Sequence, residues 1–67
     1  MTRIVKFLKD LTVDCIDEDG HRDYRSYSGG GTLPITSFVD VSDSFVSITL
    51  SNSIVLIDVP RKDVIIV

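Results

Sequence analysis

The sequence predicts one small all-β domain over residues 1–67, a compact barrel of five or six strands. Three observations carry that expectation. The last third of the chain, Phe45 to Val67, consists of β-branched runs separated by turn residues, with Val46, Ile48 and Leu50 alternating with Phe45, Ser47 and Thr49. A period of two puts alternate side chains on opposite faces of a pleated strand. Asp19-Gly20 stands between two extended stretches, and both residue types accept the positive φ of a tight hairpin turn. Nine valines and eight isoleucines, with three Phe, two Tyr and no Trp, make an aliphatic core of the kind a small barrel packs.

From the N-terminus, the β-branched pair Ile4-Val5 and the continuation Leu11 to Ile16 favour a long strand over a short helix, broken near Lys9-Asp10. Leu11, Val13 and Cys15 share one face of it, and Thr12 and Asp14 take the other. Asp17-Glu18-Asp19-Gly20 then turns the chain. The returning arm, His21 to Tyr27, alternates aromatic and polar residues, as a ribbon lying partly off the barrel should. Ser28-Gly29-Gly30-Gly31 interrupts the pattern. Glycines cost conformational entropy, so three in a row serve a bend, flexibility or a close backbone approach. Thr32-Leu33-Pro34-Ile35 opens the next strand, and Pro34 places it at a strand start, a bulge or an edge. Ser37 to Val41 continues that strand, and Ser42-Asp43-Ser44 turns it. Ser51-Asn52-Ser53 is a second hairpin turn, since Asn tolerates positive φ. Ile54-Val55-Leu56-Ile57 is apolar on both faces, Pro60 closes the strand, and Val64 to Val67 forms a short terminal strand.

Two stretches carry a family resemblance. Val59-Pro60-Arg61-Lys62-Asp63-Val64-Ile65 resembles the end of an SH3-type barrel, where a Pro opens one 3₁₀ turn between the fourth and fifth strands and an apolar residue four positions later re-enters the core. Tyr27-Ser28-Gly29-Gly30-Gly31-Thr32-Leu33 resembles that family's diverging turn. The resemblance implies an SH3-like barrel whose N-terminal β-hairpin is the RT loop. It does not extend to polyproline recognition: the chain has no Trp, and Phe7-Leu8-Lys9-Asp10-Leu11 only faintly echoes the family's opening motif.

A net charge of −3 and an isoelectric point near 4.7 argue against non-specific binding to nucleic acid or an anionic membrane, both of which need a basic face. The single Cys15 excludes an intramolecular disulfide, which points to a reducing, cytoplasmic setting. No apolar run approaches the roughly 20 residues of a membrane-spanning helix, and the N-terminal stretch is too mixed in charge for a signal peptide.

The most polar feature is the acidic hairpin, Asp14, Asp17, Glu18, Asp19 and Asp23. It is either a solvated turn or a surface for a basic peptide, a basic protein or a divalent cation. Its spacing does not match a calcium loop, and a two-stranded hairpin supplies fewer than the roughly six oxygens calcium takes. The glycine stretch lacks the Lys and following helix of a phosphate-binding loop. Cys15, on the face of Leu11 and Val13, reads as a small core residue and His21 as a surface one, so neither a nucleophile with its base nor a zinc site is expected. Tyr24, Tyr27 and Phe45 are the candidate contact aromatics.

The apolar residues exceed what one barrel can bury. Val55, Ile57 and Val59 fall on one face of their strand and Ile65 and Val67 on one face of the last, opposite the set that fills the core. The surplus set either forms an oligomer interface, with edge-strand pairing, or lies under the N-terminal ribbon. The expected function is therefore that of a non-enzymatic protein-interaction module without metal or cofactor. Its partner-binding residues are Asp17, Glu18, Asp19, Asp23, Tyr24 and Tyr27. The alternatives are a subunit of a symmetric oligomer or virion, and an oligomer that sequesters a small ligand between subunits. The size and the lack of catalytic machinery suit an accessory inhibitor or adaptor of the kind phages encode.

Overall fold

A computed structural model of the chain describes residues 3–67. Met1 and Thr2, where the stretch judged against a signal peptide begins, lie outside the described residues. The elements are β1 (Arg3–Phe7), β2 (Leu11–Ile16), β3 (Arg22–Tyr27), β4 (Thr32–Asp40), β5 (Phe45–Leu50), β6 (Val55–Pro60) and β7 (Val64–Ile66). One 3₁₀ turn, Arg61–Asp63, joins the last two strands. The strands form one antiparallel sheet in the order β3-β2-β6-β5-β4-β1-β7.

This corrects the expected count of five or six strands to seven. The break at Leu8 to Asp10 divides the first ribbon into two strands with different partners, because β1 pairs with β4 and β7 while β2 pairs with β3 and β6. The sheet does not close: β3 and β7 each have one neighbour. It curls instead. Val5 and Phe7 from one end and Val13 and Cys15 from the other join Ile35, Val46, Ile48, Leu50, Ile54, Leu56, Val59 and Val64 in one buried cluster.

Two bulges produce the bend. In β4, Thr36 is the extra residue between Ile35, which pairs with Leu50, and Ser37, which pairs with Thr49. Its hydroxyl donates to the carbonyls of Thr49 and Leu50 at 3.2 and 3.3 Å. Before the bulge β4 pairs with β1, and after it with β5, so one strand serves both halves of the sheet. In β6 the register with β5 shifts between Val46 and Ile48, and Asp58 takes a φ of 52°. An extra residue in one strand bends it and breaks the period of two.

The turns follow the sequence closely. Gly20 takes a φ of 87° at the acidic turn. At Ser51-Asn52-Ser53 the positive φ, 73°, falls on Ser53 rather than Asn52. Asn52 instead turns its Oδ1 to accept the Ile54 N–H at 3.2 Å. Pro60 ends β6, and Val64 returns to the core at 8% exposure.

Candidate functional site

The acidic hairpin turn is organised by Asp17. Its Oδ1 accepts the backbone N–H groups of Asp19 and His21, both at 2.9 Å. The His21 bond is the chief reason its pKa lies below the ordinary carboxylate value. Asp17 is thus a turn-forming residue, and Glu18 and Asp19 are left exposed at the tip. One ligand-type atom each from Asp17, Asp19 and His21 lies within 4.8 Å of the others. That proximity follows from the turn, whose hydrogen bonds already engage the Asp17 carboxylate.

Tyr24 and Tyr27 separate. They lie three positions apart on β3, so they point to opposite faces. Tyr24 is 71% exposed. Tyr27 packs against the core, its ring stacked on Phe7 at 4.8 Å between centroids and 4° between planes. Desolvation there raises the pKa of its hydroxyl. Of the two, Tyr24 is the exposed one and Tyr27 is partly buried. Asp23 is exposed on the same strand, and its Oδ1 accepts the Tyr24 N–H at 2.8 Å.

The surplus apolar set also divides. Val55 and Ile57 lie half-buried on the outer face of β6, opposite Ile16 and Asp14 of β2. Val59 does not join them. The bulge at Ile57-Asp58 reverses the alternation, and Val59 is fully buried opposite Val46. The expectation that Val55, Ile57 and Val59 share an outer face is corrected on this point. Ile65 and Val67, 46% and 70% exposed, lie at the β7 edge, separated from β6 in the sheet by β1, β4 and β5. They belong to a different patch.

The register brings together residues that the sequence keeps apart. Tyr24 lies opposite Asp14, Asp14 opposite Ile57, and Val39 opposite Ser47. Directly opposed residues in an antiparallel sheet project from the same face. The outer face therefore carries Tyr24, Ile57, Val39 and Phe45 across five strands. Val41, whose N–H donates to the Phe45 carbonyl at 3.1 Å, extends the run. Val39, Val41 and Phe45 are 65%, 56% and 41% exposed. Arg22 pairs with Asp14 at 3.3 Å beside this apolar run.

At its Phe45 end the face opens into a shallow cleft of about 620 Å³. Phe45 and Pro60, an opposed cross-strand pair, line it together with Arg61, Lys62 and the ion pair of Lys9 with Asp63 at 3.6 Å. Sequence reading named Phe45 as an aromatic but missed the cleft, since Lys9, Phe45 and Pro60 meet only through the tertiary fold.

The glycine stretch is structural. Gly29 donates its N–H to Asp10 Oδ1 at 2.7 Å, Gly30 to the Phe7 carbonyl and Gly31 to the Ser28 carbonyl. All three N–H groups that a phosphate would need are engaged within the chain. Comparison with protein-family models, with curated proteins and with solved structures found no match.

Proposed function

We propose that this chain is a non-enzymatic protein-interaction module of SH3-like design, and that it binds its partner through the outer face of the sheet and the cleft at the end of that face. The observation that carries the reading is the set of exposed side chains Tyr24, Val39, Val41 and Phe45 on one face of the sheet, with half-buried Ile57 and the polar Asp14 and Ser47 among them. Exposed apolar and aromatic side chains gathered on one face with polar groups beside them suit a contact site. The SH3-like design is supported by the 3₁₀ turn that follows Pro60, by the return of Val64 to the core, and by the glycine bend between Tyr27 and Leu33. The acidic tip, Glu18 and Asp19, flanks the contact surface and supplies charge that steers a basic partner toward it.

The test is affinity capture from an extract of the source cell on wild-type protein and on the double variant Val39→Lys, Phe45→Ser, after equal thermal stability has been established. The reading expects a partner that is retained by the wild type and lost on the variant. Identical captured proteins on both would refute it.

A further inference from the structure

The strand β3 is an unpaired edge six residues long, and every side chain on it except Tyr27 is exposed. An edge of this kind is a template for another strand unless something blocks it. The opposite edge, β7, is only three residues long, which is itself a protection.

The hydrogen-bonding phase of β3 is fixed by its turn. Residues along an antiparallel ladder alternate between pairs that exchange main-chain hydrogen bonds and pairs that do not. Asp17 opens the β2–β3 ladder by donating its N–H to the His21 carbonyl at 2.9 Å. Bonded pairs therefore follow at Cys15 with Asp23, Val13 with Arg25 and Leu11 with Tyr27. Arg22, Tyr24 and Ser26 then turn their N–H and C=O groups to the open side. The Tyr24 N–H fits this phase: it points to the open side and is capped by the Asp23 carboxylate at 2.8 Å, a local bond that pairing with a second strand exchanges for one to that strand.

A second copy laid antiparallel along this edge must match Arg22, Tyr24 and Ser26 with their own kind. Three registers do so with useful overlap. A two-fold axis at Asp23 sets Asp23 against Asp23, and one at Arg25 sets Arg25 against Arg25. Like charges directly opposed are destabilising. An axis at Tyr24 instead sets Asp23 against the other copy's Arg25, twice. It also places Tyr24 beside Tyr24 and Arg22 opposite Ser26. Neither Asp23 nor Arg25 is engaged in an ion pair among the described residues. The edge is thus self-complementary in one register, as a two-fold interface requires.

We propose that two copies of this chain pair through β3 about a two-fold axis at Tyr24, joining their seven-stranded sheets edge to edge. Because the paired residues keep their faces, the two outer apolar faces become continuous on one side of the joined sheet. This dimer does not depend on the outer face having a foreign partner, and its test uses none of the residues changed in the capture experiment.

The test is sedimentation of untagged protein at low salt from micromolar to millimolar concentration. The proteins compared are the wild type, Asp23→Arg, Arg25→Asp and the double variant. The wild type should dimerise. Each single reversal, which opposes like charges at both symmetric positions, should raise the dissociation constant by roughly tenfold or more. The double variant should restore the dimer, because the pairs are then only exchanged. Thermal melts at concentrations where every protein is monomeric should be unchanged, since both side chains are exposed. A wild type that stays monomeric throughout would overturn the proposal. So would a dimer indifferent to the single reversals, or a double variant no tighter than the singles.

Discussion

Gly29 shows how one residue can be fixed by what lies beside it. A Cβ added there would sit 2.8 Å from Lys9 Cα and 3.1 Å from Lys9 carbonyl carbon, both main-chain atoms that cannot swing aside. Gly29→Ala should therefore destabilise the fold by about 1–3 kcal/mol, the usual cost of overpacking, as read by urea denaturation. Asp17 governs the neighbouring turn through charge. Folding lowers its pKa below the ordinary 3.8, chiefly through the His21 N–H, so its stabilisation is complete above that value and is lost as pH falls through the lower folded-state value. The Asp19 and His21 amide resonances should accordingly titrate with a midpoint below 3.8. A midpoint at or above it would show that the carboxylate does not hold the turn. Tyr27 runs the other way: its raised pKa predicts stability lost only as the solution becomes strongly alkaline, above the ordinary 10.0.

At the scale of elements, β6 carries the most consequence. Its apolar run reads as a simple alternation, and the bulge at Ile57-Asp58 overrides it. The exchange is testable by substitution. Val59→Ala should cost roughly 1–3 kcal/mol, because it empties a fully buried site. Ile57→Thr, on the outer face, should cost less than about 1 kcal/mol. Equal costs at the two positions would mean the alternation runs unbroken and the bulge is absent. Asp58, at a φ of 52°, is a second handle on the same feature. Asp58→Val should be destabilising by about 1–2 kcal/mol, since β-branched residues resist the left-handed region, whereas Asp58→Gly should be tolerated. β4 is bent by the same device at Thr36, whose hydroxyl donates to the Thr49 and Leu50 carbonyls across from the bulge.

For the whole molecule the governing fact is size. A chain of 67 residues has a net stability of about 3–10 kcal/mol. Leu56 lies at the centre of the single core with no exposure, beside Ile48, Val46 and Cys15. Leu56→Ala should cost about 2–5 kcal/mol and take up most of that margin. A far-ultraviolet melt that stayed cooperative near the wild-type midpoint would contradict it. The Cys15 thiol, fully buried, reports the same unfolding: a disulfide reagent should react only as the core opens. No helix among the described residues is long and apolar enough to cross a membrane.

Local chemistry was legible in the sequence because it acts over a few residues. Period-two alternation marked β5, Asp19-Gly20 marked the hairpin, Pro60 marked the end of β6, and the Ser51 to Ser53 turn stood where its polar residues placed it. Cys15 in the core followed from the face it shares with Leu11 and Val13. The number of strands was missed because the break near Lys9-Asp10 is defined by partners distant in sequence: β2 leaves the line of β1 to pair with β6. The candidate site was legible only in pieces. Tyr24, Val55 and Ile57 were named from the sequence, but their common face depends on the β2–β3 and β2–β6 registers, which no local pattern encodes. Val59 was assigned to the wrong face because one extra residue in a strand exchanges inside and outside. The sequence alone determined where the chain turns and which stretches extend, since backbone sterics and side-chain periodicity are local. Tertiary structure decided which strands are neighbours, which faces combine and which edges remain open, since those depend on how distant strands pair and on where a bulge shifts their register.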